Sequence, residues 1–234
     1  MASFTGTANN GNIPYALTFY SFAPGNTNSG TPFNLVGNPY PGAISASSLV
    51  AANGNISGSL YFWDDDLTGG SGYSYTDYAV WNGTGSIGTG AGTIPPNGFI
   101  ASGQGFMVRA LSGGNINFTN ALRDSGPNNV FLKPNSESSK LWLSMEGIGQ
   151  YNEILIGLMD EATDSEDRLY DAVKLRGNSN ISLAAMNENS EYAILAFPHP
   201  YHEKIVPLHV VVGIAGQYTF HPRSMQNFDG YQVF

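Results

Sequence analysis

Short runs of β-branched and aromatic residues, each closed by Gly, Asn or Pro, recur from one end of this chain to the other. They are YALTFYSF (15–22), FNLVG (33–37), ISGSLYFW (56–63), DYAVWN (77–82), GFMVRAL (105–111) and INFT (116–119). They continue with KLWLSMEG (140–147), NEILIGLM (152–159), ISLAAM (181–186), YAILAF (192–197), KIVPLHVVVG (204–213), GQYTFH (216–221) and YQVF (231–234). Such runs predict strands, because β-branched and aromatic side chains suit a pleated, half-buried surface while Gly, Asn and Pro make turns. Long windows of Ala, Leu, Glu and Lys, which would sustain helices, are missing. Disordered chains share the abundance of Gly and Asn, but not the 13 Tyr and 13 Phe. One short helix is expected in ISASSLVAAN (44–53), capped by Ser45 or Ser47. The acidic stretch DEATDSEDRLYDA (160–172) has room for one helical turn. Pro207 inside a run predicts an edge strand or a bulge. The expected fold is all-β and β-sandwich or jelly-roll-like, with many short antiparallel strands in two packed lobes.

Charge divides the chain. Residues 1–108 hold no Lys and no Arg, and their only acids are Asp64, Asp65, Asp66 and Asp77. All nine basic residues come later. The expected division is a Gly/Asn-rich β-sandwich module over 1–135 and a second β-sandwich lobe over 136–234, with the junction in KPNSESSK (133–140). FTGTANNGNI (4–13) echoes FTNALRDSGPNN (118–129), which suggests that the chain opens with the tail of a preceding unit and that 33–120 is one complete unit.

Composition excludes several functions. The net charge of −9 argues against a phosphate-backbone binder, so no nucleic acid is expected. With no Cys there are no disulfides, Cys-zinc sites or thiol chemistry. No apolar run reaches the roughly 18–20 residues that span a bilayer, so membrane insertion is not expected. The opening MASFTGTANN has neither a basic nor an apolar leader region, so it does not read as a signal peptide.

The runs FNLVGNPYPGAI (33–44), LYFWDDDLTGGSGY (60–73), DYAVWNGTG (77–85), NGFIASGQGFMVRA (97–110) and INFTNALR (116–123) together resemble β-rich modules near the C-termini of large secreted Bacteroidota proteins. LIGLMDEATDSEDRLYDAVKL (155–175), VPLHV (206–210) and GQYTF (216–220) resemble the segment that precedes their sorting domain. The resemblance implies export by the type IX secretion system and a secreted or cell-surface location. It implies no activity, because such modules accompany many cargoes. No sorting domain is expected within the residues up to the closing DGYQVF (229–234).

The candidate metal site is the acidic turn. Asp64-Asp65-Asp66-Leu67-Thr68-Gly69 reads D-x-D-x-T-G, like the opening of a calcium loop. Position 12 is Tyr75 rather than Glu, and Asp77 follows two residues later. Four carboxylates with no nearby cation in the sequence repel one another, so Ca²⁺ held by Asp64, Asp66, Asp77, Asp65 and Thr68 is expected to stabilise the turn. An exposed acidic turn is the plainer alternative.

The aromatic residues Trp63, Trp81, Tyr73 and Tyr75 crowd around the same turn and form a candidate ligand-binding platform for a sugar, although a core uses the same residues. Other motifs read as structure. Gly37-Asn38-Pro39-Tyr40-Pro41 predicts a rigid turn. Gly83-Thr84-Gly85-Ser86-Ile87-Gly88 fits G-x-G-x-x-G, but no helix follows, so it predicts a loop. His199, His202, His209 and His221 lie close in sequence, yet Pro198 and Pro200 forbid the helix that pairs zinc-binding histidines. No catalytic residue is assigned.

These readings converge on a non-catalytic β-sandwich module of a secreted or surface-attached bacterial protein. It would act as an adhesive or structural spacer stabilised by calcium. A carbohydrate-binding module is the alternative. The expected partners are a surface glycan or neighbouring domains of the same precursor.

Overall fold

The computed structural model describes residues 5–20, 32–64, 77–90, 93–124, 138–199 and 204–228. The strands are β1 (Ile13–Leu17), β2 (Phe33–Gly37), β3 (Ile44–Ser45), β4 (Ile56–Asp64), β5 (Asp77–Trp81), β6 (Ser86–Ile87), β7 (Phe99–Ile100), β8 (Gly105–Ala110) and β9 (Gly114–Phe118). After them come β10 (Ser139–Gly147), β11 (Gln150–Leu158), β12 (Ala172–Val173), β13 (Ile181–Asn187), β14 (Ser190–Phe197), β15 (Leu208–Val212) and β16 (Thr219–Gln226). One α-helix, α1 (Ala46–Ala52), and one 3₁₀ turn (Asn120–Leu122) complete the described elements. The fold is thus mostly β, with several antiparallel sheets. No helix among the described residues is long and apolar enough to cross a membrane.

Most runs become strands within a residue or two. Alternation of apolar and polar residues sets which face is buried, since successive side chains point to opposite sides. The helix forms where expected, and Ser45 caps it by accepting a hydrogen bond from the Ser48 amide. Short pieces such as β3, β6, β7 and β12 carry no period of their own. In 160–172 there are two turns, one closed by the Ala162 amide on the Met159 carbonyl and one by the Tyr170 and Asp171 amides on the Asp167 carbonyl. YQVF (231–234) and most of the expected junction at 133–140 lie outside the described residues.

Contacts divide the chain into two compact units, one of residues 1–57 and 98–131, the other of 58–97 and 132–234. In the first unit β1 pairs with β9, β2 with β8 and β3 with β7, all antiparallel. Asn side chains tie its turns together. Asn38 donates to the carbonyls of Gly42, Ile100 and Ala101. Asn53 donates to the Leu49 carbonyl and accepts from the Asn117 amide. Tyr40 is fully buried in the Gly-Asn-Pro-Tyr-Pro turn, and its hydroxyl donates to the Gly11 carbonyl at 2.6 Å. The guanidinium of Arg123 stacks 4.6 Å from the Tyr40 ring centre. That turn is therefore a packed structural element.

In the second unit, β4, β5 and β6 form an antiparallel series. The larger sheet runs in the order β15-β13-β14-β11-β10-β16, with β12 paired to β14. All its pairs are antiparallel except β11 with β14, which is parallel. Its core face holds Met145, Ile154, Leu158, Leu183, Tyr192, Leu195 and Phe197. The sheet's outer strands are β15, which begins just after Pro207, and β16, which contains Pro222. Both prolines thus sit where an interior ladder does not need the missing N–H.

The opposite face of β10 and β11 is also covered. There Leu155 and Gly157 meet the Gly83–Gly88 stretch: a Cβ on Gly85 would lie 2.9 Å from Leu155, and one on Gly157 would lie 2.7 Å from Thr84. The 58–97 segment is further fixed by side chains that reach the 170–173 backbone. Ser59 donates to the Asp171 carbonyl, Tyr61 to that of Val173, and both Asn82 and Thr84 to that of Tyr170.

Candidate functional site

The acidic turn is only partly within the described residues. Asp65, Asp66 and Thr68 lie outside them, as do Tyr73 and Tyr75. Asp64 ends β4 and accepts a hydrogen bond from the Thr89 hydroxyl. Asp77 opens β5 and is buried. Its Oδ1 accepts from the amides of Tyr78 and Gly177, and its Oδ2 accepts from the Asn152 side chain and from Lys174 Nζ. The cation that neutralises Asp77 is therefore Lys174, a residue 97 positions away. Asp77 is thus not left unpaired as the sequence suggests, because its partner is distant in the chain.

The expected aromatic platform is divided. Trp63 is 45% exposed and packs edge-to-face on Tyr78, with ring centres 5.1 Å apart and planes at 70°. Its indole also crosses Gly177, where a Cβ would come within 2.7 Å of the ring. Trp81 is half-buried and sits opposite Leu60 in the β4–β5 ladder.

A second candidate site lies elsewhere in the second unit. An open cavity of about 270 Å³ is lined by Trp142, Tyr151, Glu153, Arg223 and Gln226, and by the loop that includes Gly88 and Thr93. The register explains the convergence. Trp142 lies opposite Leu155 and Ser144 opposite Glu153, while Glu146 lies opposite Tyr151, so these residues project from one face of β10 and β11. On the other side of β10, Trp142 pairs with Ser224, and a register shift between Trp142 and Leu143 marks a bulge beside Arg223. Bulges re-aim side chains in this way. Across the cavity, Thr93 Oγ1 accepts from the amides of Thr89 and Gly90 and donates to the Gly90 carbonyl, which shapes the facing loop.

Glu153 forms the polar wall of this cavity. The residue is 8% exposed. Its Oε1 accepts from the Tyr151 hydroxyl at 2.9 Å and its Oε2 from the Gly88 amide at 3.2 Å. Burial pushes the carboxyl above the usual carboxylate range, against the pull of the Tyr151 and Gly88 hydrogen bonds and of Arg223. Burial, with Glu153 beside it, also raises the Tyr151 phenol. Arg223 Nη1 lies 3.6 Å from Glu146 Oε1 at the exposed rim. The Trp142 indole is held by donating to the Ser86 carbonyl at 2.9 Å. A small concave site with two aromatic side chains and a few convergent polar groups is the usual form of a ligand pocket.

Sequence reading missed this cavity. Its residues come from three strands and a loop, and no motif links them. The available signal was Glu153 itself, a carboxylate inside the apolar run NEILIGLM (152–159). A charge in such a run signals a special environment.

The remaining titratable groups serve the fold. Asp171 is buried and accepts from the amides of Asp167 and Ala196. Burial raises its carboxyl to about 7, against those two hydrogen bonds. His209 sits on β15 and, with Arg176, holds Glu191; burial pushes that carboxyl up, but the two basic partners outweigh it and hold it low. His199 lies 3.7 Å from Asp160, His221 is exposed on β16, and His202 lies outside the described residues. Among the described residues no group of three or more His, Cys, Asp or Glu is placed to hold a metal ion.

The chain belongs to the family described as Domain of unknown function (DUF8693), which it matches over residues 1–232. No curated protein and no solved structure matches it.

Proposed function

We propose that this chain is a non-catalytic β-module of a secreted or surface-attached bacterial protein that serves as an adhesive or structural spacer. The observation that supports the non-catalytic part of this reading is the use of the buried carboxylates Asp77 and Asp171. Asp77 is saturated by four donors that include Lys174, and Asp171 is bound by two backbone amides. Groups so engaged hold loops onto strands and are not poised to transfer protons to a substrate. Calcium, in this reading, belongs to Asp64 and the residues that follow it, with Asp77 serving the interior. Screening with glycosidase, esterase and peptidase substrates is expected to give no turnover above background. Turnover that disappears on Glu153→Gln would overturn the reading.

The second reading, carbohydrate binding, is favoured by the Trp142–Tyr151–Glu153–Arg223 cavity. Aromatic side chains offer faces for a sugar ring, while Glu153, Arg223 and Gln226 offer hydrogen bonds to its hydroxyls. At about 270 Å³ the cavity lies just below the size of pockets for drug-sized ligands, and it fits a single ring better than a chain of them. A glycan array read with wild type and with Trp142→Ala tests this. Binding that survives Trp142→Ala unchanged would place the sugar elsewhere.

A further inference from the structure

We infer that the cavity bounded by Trp142, Tyr151 and Glu153 selects a sugar ring that bears a free ammonium group, a hexosamine without an N-acyl cap. This rests on the carbohydrate reading of the same cavity and narrows it to one ligand class.

The argument is one of charge and geometry. Among the described residues, the hydrogen bonds to Glu153 come from neutral donors, the Tyr151 hydroxyl and the Gly88 amide. The nearby cation, Arg223, makes its ion pair with Glu146, at 3.6 Å and at the rim. The cavity and its rim therefore carry two carboxylates against one guanidinium. Each carboxylate oxygen can accept more than one hydrogen bond, so Glu153 keeps acceptor capacity after its two bonds are made. Arg223 attracts Glu153 without a direct hydrogen bond and is paired with Glu146, so burial still costs the Glu153 carboxylate, and a ligand ammonium placed against it offsets that cost. Trp142 and Tyr151 add to this preference, since aromatic faces attract cations as well as the apolar faces of sugars. A neutral sugar gains the ring contacts but not the ion pair. An N-acetylated sugar loses the positive charge and adds bulk in a cavity sized for one ring. An acidic sugar meets two carboxylates and a protein of net charge −9.

The test is binding of methyl glucosaminide, methyl glucoside and methyl N-acetylglucosaminide to the whole chain at neutral pH, measured by calorimetry or by ligand-observed NMR. The glucosaminide is expected to bind about tenfold more tightly than the other two, which is about 1.4 kcal/mol. Glu153→Gln keeps the size of the side chain and removes its charge, so the glucosaminide and glucoside affinities should become equal. Arg223→Gln is exposed enough to leave the fold intact and removes a competing cation. Any hydroxyl contact of Arg223 is lost for all three sugars alike, so the ratio of glucosaminide to glucoside affinity should rise a few-fold. Equal affinities in the wild type, or a glucosaminide-to-glucoside ratio that falls in Arg223→Gln, would overturn the ammonium preference while leaving the carbohydrate reading in place. Binding of none of the three sugars would overturn both.

Discussion

Lys174 Nζ lies 3.4 Å from Asp77 Oδ2, and the two side chains are only 3% and 6% exposed. The Asn152 side chain bridges them, donating to Asp77 and accepting from Lys174 at 2.9 Å. Asn152 Oδ1 also accepts from the Leu183 amide, so the cluster links β5, β11, β13 and the segment after β12. Breaking such a pair from one side strands a buried charge. Lys174→Met and Asp77→Asn are each expected to cost about 3–5 kcal/mol in urea unfolding. In Asp77→Asn the new amide would also face two donors, Asn152 and Lys174. The double variant is expected to cost clearly less than the sum of the two single changes, because neither charge is left alone. Additive losses would show that the pair is not coupled.

The same pair bears on calcium. If Asp77 serves the interior, its loss must destabilise the chain equally with and without the ion. Melting temperatures in Ca²⁺ and in EGTA should therefore drop by the same amount for Asp77→Asn. A calcium-dependent gain, by contrast, should vanish in Asp64→Asn/Asp66→Asn, since neighbouring carboxylates are the hard oxygen ligands that Ca²⁺ takes. An Asp77→Asn effect present only in Ca²⁺ would make Asp77 a ligand and displace Lys174 as its main partner.

Close backbone approach gives a steric prediction. The Gly58 amide donates to the Arg168 carbonyl at 2.7 Å, and the Gly83 amide to the Leu169 carbonyl at 3.0 Å. A Cβ on Gly58 would stand 2.6 Å from that Arg168 oxygen and 2.8 Å from Leu169 Cα, both backbone atoms with little freedom to retreat. Gly58→Ala is expected to cost about 1–3 kcal/mol, the usual range for overpacking. At Gly42 nothing lies within 4 Å of an added Cβ. Gly42→Ala should therefore stay within about 0.5 kcal/mol of wild type. Similar stabilities for the two variants in denaturant titrations would contradict this packing.

What the sequence disclosed follows from the range of each signal. FNLVG (33–37) is β2 residue for residue, and Ser45 caps α1, because alternation and capping act within a few positions. Pro207 correctly marked an edge for the same reason. The two-residue strands β6 and β12 are too short for any period, and only the ladders they join define them. The site was least legible. Asp77 and Lys174 are paired across 97 positions, and the Glu153 cavity draws on residues from Gly88 to Gln226. The acidic and aromatic residues around 63–77 attracted attention because they are neighbours in the chain. Trp142, Tyr151 and Arg223 become neighbours only through the β10–β11–β16 register.

Asp171 gives the last prediction, a pH dependence of known sign. Its carboxyl is raised to about 7, first by burial and then by the charges of Asp167 and Glu166, while the amides of Asp167 and Ala196 pull it down. An unfolded Asp releases its proton near 3.9. Between that value and about 7, the folded chain holds a proton that the unfolded chain has lost. Stability from this group is thus fully present below about pH 4 and is lost as the pH rises through the folded value. The loss is at most about 4 kcal/mol, from a shift of about three units at 1.36 kcal/mol each. Other carboxylates titrate in the same range, so the comparison must be with a variant. Asp171→Asn cannot ionise, and its amide oxygen can still accept from one of the two backbone donors. Its unfolding free energy starts lower than that of the wild type at about pH 4, and the gap should narrow by about 2–4 kcal/mol towards pH 7.5. Urea midpoints at a series of pH values measure the gap directly. Parallel curves for the two proteins would show that Asp171 ionises normally in the fold, with its two amide hydrogen bonds outweighing burial.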